Sequence, residues 1–269
     1  MKIFNNTKIP KNFKGSALAI GNFDGVHVGH KKVFQQTKKI AKKNKIKFGV
    51  LTFTPLPVMF FNKKIKNYRL TSEDQKLKLF KKSKVDFTIN IKFNKKFSVI
   101  GAEDFIKTII YKKLNPELLA VSNNFKFGKN RKGDVNLLEK FSNKYDYHLL
   151  NIKPFKHSKK IVSSTKIRKY LKRGHVNLAN KLLSRTWYIE GQVKKGKKIG
   201  RKLGYRTCNI NVKNYILPRP GIYAVKVLVG NKKYIYGGVA YLGASPTFGG
   251  KKIFLETYIF GIKKNLYKK

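Results

Sequence analysis

The sequence predicts an α/β protein in two parts, a parallel sheet covered by helices followed by a small antiparallel β-barrel. Three observations predict it. Strand-like and helix-like stretches alternate through the first half, as a sheet with crossover helices requires. An apolar strand over residues 16–23 runs into a glycine-rich turn that opens a helix. From about residue 184 the chain becomes β-rich, with glycine turns between short runs.

Taken in order, SALAIGNF reads as a buried strand, and KKVFQQTKKIAKK carries Val33, Thr37, Ile40 and Ala41 at helical spacing. KFGVLTF, VDFTINIKF, LLAVS and YHLLNIKPF read as further strands separated by helical stretches. SEDQKLKLFKK opens with Ser72 and Gln75 at capping-box spacing, and GAEDFIKTIIYKKL has acids in its first turn and lysines in its last. SSTKIRKYLKRGHVNLANKLLS predicts two short helices broken at Gly174, and the domain boundary falls there. Beyond TWYIEGQV, the runs GIYAVKVLV and KYIYGGVAYL, joined by Gly230 and Asn231, predict a hairpin.

A chain of 269 residues with 41% hydrophobic content can bury a substantial core. No apolar run approaches the ~18 residues that span a bilayer, and the opening MKIFNNTKIPKN has no signal-peptide block, so no membrane insertion is expected. Cys208, the one cysteine, cannot form an internal disulfide, which makes the cytoplasm the expected location. The net charge of +50 invites a nucleic-acid reading. Its lysines, however, are spread over the whole length, and Phe60, Phe61, Phe125 and Phe127 sit within apolar patterns typical of core. Non-specific binding to RNA at low salt is the expectation that remains.

Chemistry concentrates in GNFDGVHVGH, residues 21–30. A lone histidine is usually structural, but here His27 and His30 stand three apart behind Gly21, Gly25 and Gly29 at a strand-to-helix turn. Glycines let a ligand approach the backbone, and a helix start aims free amides at it. Both histidines can then donate to a triphosphate whose charge rises as its α-phosphorus is attacked. Asn22 and Asp24 share the turn, and Asp24 is one of only 12 acids. Farther on, SSTKIR sets Ser164, Thr165 and Arg168 at a helix start, where hydroxyl, amide and guanidinium donors can hold phosphate oxygens together.

These segments resemble the signature motifs of the bacterial bifunctional riboflavin kinase/FAD synthetase family, and the resemblance covers residues 15–267. It implies a Rossmann-like nucleotidyltransferase domain over residues 1–183, an FMN adenylyltransferase, and a shortened riboflavin kinase-like β-barrel over 184–269. In the first domain it implies His27 and His30 as catalytic groups, with Gly21, Asn22, Asp24, Gly29, Ser164, Thr165 and Arg168 binding ATP. VSNNFKFGKNRKGD is similar to the family's flavin-side loop, implying flavin contacts from Asn124, Phe125, Phe127 and Arg131, although Ser122 and Asn124 replace the usual Gly and Asp. TFTPLP matches a family loop in part, with Thr54 and Leu56 where Glu and His are usual.

In the second domain GKKIGRKLGYRTCNI resembles the kinase's glycine loop and metal motif, implying ATP contacts from Gly200 and Gly204 and magnesium ligands in Thr207 and Asn209. Arg206 and Cys208 stand where that motif has Pro and Ala. Glu256 interrupts the apolar strand FLETYIF and matches the family's general base, and SPTFGG matches a nearby loop with Ser245 for Arg. The family ordinarily continues beyond NLYKK, and three readings stay open: an incomplete sequence, a decayed kinase half with weak or absent riboflavin phosphorylation, or a partner that supplies the missing part. The implied substrates are ATP, FMN and riboflavin, with Mg2+. The sequence also admits two rivals: a nucleotidyltransferase with another phosphate acceptor, and a basic nucleic-acid-binding protein that kept an inactive nucleotide fold. The oligomeric state is left open.

Overall fold

The computed structural model describes residues 1–157, 160–194, 205–230, 234–244, 253–262 and 266–267. The chain divides into two compact units, one of residues 1–65, 73–164 and 182–184, the other of residues 66–72, 165–181 and 185–269.

In the first unit β1 (Lys2–Phe4), β2 (Ala17–Ile20), β3 (Phe48–Thr54), β4 (Phe87–Lys92), β5 (Leu118–Ser122) and β6 (His148–Ile152) form one sheet in the order β1-β4-β3-β2-β5-β6. Every neighbouring pair in it is parallel. Both faces are buried, which explains why the strands read as continuous apolar runs. The ALAI of β2 shows the alternation: Ala17 and Ala19 join the core with Phe34, Phe48 and Phe80, while Leu18 and Ile20 join the one with Phe87, Phe105 and Ile106.

Helix α1 (Val28–Lys43) packs Val33, Phe34, Thr37 and Ala41 inward, with lysines in its last turn facing the negative end of the dipole. It begins three residues before the stretch that periodicity marks, because His27 caps it and draws Gly29 and His30 into the first turn. The short α2 (Pro57–Phe61) follows β3, and α3 (Glu73–Lys82) buries Gln75, Lys76, Leu79 and Phe80. After α4 (Lys95–Ser98), α5 (Ala102–Asp104) continues with π-type hydrogen bonding over Phe105–Leu114, burying Phe105, Ile106, Ile109, Ile110 and Leu114. Helix α6 (Val135–Ser142) precedes β6, and β7 (Lys156–His157) pairs with β8 (Lys160–Ile161) after it.

The break expected at Gly174 is present, with that glycine at φ 80° between α7 (Ser164–Lys172) and α8 (Val176–Leu183). In the second unit β9 (Val193–Lys194), β10 (Thr207–Ile210), β11 (Gly221–Leu228), β12 (Ile235–Ala244) and β13 (Ile253–Ile259) make an antiparallel sheet ordered β11-β12-β13-β10-β9. The predicted hairpin is β11–β12, in register from Gly221↔Leu242 to Leu228↔Ile235. Its Asn231 lies outside the described residues, as do Gly200, Gly204 and Ser245.

Candidate active site

Strand order, which no sequence pattern reveals, explains where the motifs meet. From β2 the sheet grows one way through β3 and β4 and the other way through β5 and β6. Ligands of such sheets sit at the carboxyl ends of the strands where the order reverses. GNFDGVHVGH leaves the carboxyl end of β2, and the Asn124 loop leaves that of β5, its direct parallel neighbour.

The β2 turn is tightly fixed. Phe23 and Val26 hold left-handed backbone at φ 47° and 39°, and Gly25 at φ 82° completes the run. Strain of this kind at non-glycine residues persists only where packing enforces it. Phe23 supplies that packing, with its ring 4.8 Å from Phe34 and edge-on to His30 at 5.2 Å. Gly21 N donates to Leu51 O at 3.1 Å, and Asn22 O accepts from Thr52 Oγ1 at 3.1 Å, so the turn is pinned to β3.

His27 caps α1, its Nδ1 accepting from His30 N at 3.4 Å, and the two imidazoles stack with centroids 3.6 Å apart. Asp24 and His27 are buried at 4% and 5% exposure. Ser164 Oγ donates to Asp24 O at 2.9 Å, so its hydroxyl proton is engaged by the turn. Thr165 and Arg168 belong to the second unit. There Arg168 is buried, with Nε donating to Tyr68 O at 2.8 Å and the guanidinium carbon 3.7 Å from the centre of the Tyr68 ring.

Gly29 makes the histidine stack possible. A Cβ on it would sit 3.1 Å from His27 Cε1 and 3.2 Å from Nδ1, so Gly29→Ala displaces the ring. Alanine gains about 0.5–1 kcal/mol of helix preference, and losing the cap costs about as much. Melting should therefore barely move, whereas a reaction that uses the His27 ring should slow about tenfold through its misplacement. Unchanged turnover would show that the stack has no part in the chemistry.

In the β5 loop Asn124 is exposed and its Oδ1 accepts from Ser122 Oγ at 2.8 Å. Phe125 and Phe127 stack at 5.5 Å, but Phe127 is core, packed 5.3 Å from Phe105 and bonded through its main chain to Gly133 in both directions. Phe125 is half-buried, whereas Arg131 is exposed at φ 58°. Asp134 caps α6 by accepting from Leu137 N at 3.1 Å; that bond, together with Lys126 at 3.1 Å, lowers its pKa. Of the two departures at the end of β3 and just beyond it, Thr54 Oγ1 donates to Asn90 Oδ1 at 2.9 Å and Leu56 is buried.

A second constellation lies on the antiparallel sheet. Thr207 and Asn209 alternate onto one face of β10, and the register sets Asn209 opposite Glu256 of β13. Thr207 Oγ1 donates to Glu256 Oε1. Three side chains predicted from two separate motifs thus stand together and offer hydroxyl, amide and carboxylate oxygens. Arg206 is exposed just before β10, while burial pushes the Cys208 thiol pKa up. Among the described residues, no cluster of three or more His, Cys, Asp or Glu forms a metal site.

A family model described as FAD synthetase matches residues 9–166, and one described as riboflavin kinase matches 183–269. Over 99% of its length the chain is 42% identical to a bifunctional riboflavin kinase/FMN adenylyltransferase of Buchnera aphidicola subsp. Schizaphis graminum, covering 85% of that protein. The protein of that name from Escherichia coli K12 is 33% identical, with 98% of this chain and 84% of the relative covered. Among solved structures, one described as a macrolide-efflux protein from Streptococcus pneumoniae superposes with TM-score 0.84 at 26% identity, over 99% of this chain and 86% of that one. Among the described residues no helix of this chain is long and apolar enough to cross a membrane.

Proposed function

Because this chain belongs to the family of bifunctional riboflavin kinases/FMN adenylyltransferases, we propose that it makes FAD from riboflavin in two ATP-dependent steps. The observation that carries this reading is the strained, glycine-supported turn that stacks His27 on His30 at the start of α1. The functional division falls near residue 183, with adenylyl transfer before it and riboflavin phosphorylation after it.

In the adenylyl step an FMN phosphate oxygen attacks the α-phosphorus of ATP, a P–O bond forms, and pyrophosphate leaves. The attacking phosphate is already ionised near neutral pH, so no protein base is required. His27, His30 and the amides opening α1 would stabilise the charge that builds on the α-phosphate. Asn22, Asp24 and Gly29 shape the turn, and Ser164 ties it in place. For Thr165 and Arg168 the phosphate role rests on the SSTKIR motif, and for Asn124, Phe125 and Arg131 the flavin role rests on the loop's resemblance; Phe127 backs that loop from the core.

In the kinase step Glu256 would accept the ribityl hydroxyl proton as that oxygen attacks the γ-phosphorus and ADP leaves. The oxygens of Thr207 and Asn209 suit magnesium, which prefers hard oxygen donors, and these two residues would hold it beside the Glu256 base. Magnesium held there would supply neutralisation of phosphate charge. Gly200 and Gly204 are proposed to line the nucleotide. The proposed location is the cytoplasm.

An acceptor panel tests the reading. With ATP, the protein should adenylylate FMN and leave nicotinamide mononucleotide and phosphopantetheine untouched. Preference for either of the latter would overturn it. The dispersed net charge of +50 should also give RNA binding that differs little among sequences and weakens steeply with salt, as counterion release requires. Titration of several unrelated RNAs at two salt concentrations checks this, and a preference for one sequence that persists at high salt would favour the nucleic-acid reading.

A further inference from the structure

Among the described residues three side chains of the Asp, Glu, Lys and Arg types are buried: Asp24, Arg168 and Lys76. The first two lie in the nucleotide motifs. Lys76 lies in none, yet it is only 3% exposed. Burying a lysine carries a desolvation cost that a methionine of similar length would not.

The contacts of Lys76 lead to the β2 turn. Its Nζ donates to Thr52 Oγ1 at 3.1 Å, and Thr52 Oγ1 in turn donates to Asn22 O at 3.1 Å. Thr52 is 0% exposed, so water does not compete for either bond. A hydroxyl that accepts from an amine becomes a stronger donor, so the two bonds reinforce each other. Asn22 is the first residue after Gly21, whose own N–H is held by Leu51. The backbone is thus fastened to β3 on both sides of that junction, just before the left-handed Phe23 and the histidines. We propose that Lys76 is a positioning residue for adenylyl transfer, acting through Thr52 to fix the Asn22 carbonyl and hence the placement of His27 and His30. This rests on the adenylyltransferase reading of the first unit.

The test compares Thr52→Val, Thr52→Ser, Lys76→Met and the double variant Thr52→Val/Lys76→Met, measuring kcat and KM for ATP in FAD formation from FMN. Riboflavin phosphorylation and the melting midpoint are followed on the same preparations. Thr52→Val and Lys76→Met should each lower the kcat for FAD formation about tenfold to a hundredfold, the scale of a misaligned reacting geometry. Thr52→Ser, which keeps the hydroxyl, should recover most of the wild-type rate. The double variant should be no slower than the slower single, because both changes break one relay.

Wild-type kcat in Lys76→Met or in Thr52→Val would overturn the proposal, as would additive losses in the double variant. Equal losses of FAD formation and riboflavin phosphorylation, with a lowered melting midpoint, would mark a purely structural role and also count against it. If Lys76→Met does not fold, Lys76→Leu takes its place, and wild-type kcat in that variant would equally overturn the proposal. Absence of FAD formation by the wild-type chain would instead overturn the underlying reading.

Discussion

His30→Ala should lower FAD formation from FMN and ATP by about two to three powers of ten, the loss expected when one donor to a developing oxyanion is removed. The substitution leaves the His30 amide in place, so the cap bond to His27 Nδ1 survives and α1 still begins at Val28. What disappears is the imidazole stacked on His27 and touched edge-on by Phe23. His30→Asn, which retains a donor, should fall less. Steady-state rates with FMN check both variants, and the loss should appear in kcat, because the interaction strengthens as charge develops. FMN turnover unaffected by His30→Ala would remove the histidine pair from the chemistry.

Glu256→Gln should cut riboflavin phosphorylation by about two to four powers of ten, the range for a lost general base. Glutamine has the same shape and its amide oxygen can still accept from Thr207 Oγ1, so β10 and β13 keep their register. FAD formation from supplied FMN should be untouched in the same preparation. That contrast separates a lost base from a damaged fold. Equal loss of both activities would show that Glu256 matters for stability, and undiminished phosphorylation would assign the proton to another group.

Much of the fold was legible because β2 to β6 each carry their own signal, whereas the three-residue edge strand β1 was not read from the sequence. LLAVS is β5 residue for residue, since a strand buried on both faces must be apolar throughout. The start of α1 was less legible: Gly29 is a poor helix former and His27 an unusual cap, so the first turn carries no propensity signal. Pairing was not legible at all. Nothing local says that β2 lies beside β5, or that Asn209 faces Glu256, because such registers are set by tertiary packing.

The motifs brought His27, His30 and Glu256 into view, yet the sequence hid Lys76 among 62 lysines and arginines. The one available signal was helical spacing, since Lys76 shares the buried stripe of α3 with Leu79 and Phe80 at i+3 and i+4. Composition drew attention to charge everywhere, whereas the informative charges are the few that the fold buries. Ser164 shows a different gap. Its hydroxyl suggests a phosphate donor from the motif alone, but in three dimensions that proton holds the Asp24 carbonyl.

If one chain carries both steps, each must draw a different phosphorus from ATP. Feeding the purified protein riboflavin with ATP radiolabelled at either the α- or the γ-phosphorus tests it directly. FAD made from riboflavin should carry both labels, the γ-phosphorus in its FMN half and the α-phosphorus in its adenylate half, whereas FAD made from supplied FMN should carry the α label alone. A γ label in FAD formed from supplied FMN, or α-labelled ATP yielding no labelled FAD, would contradict the account.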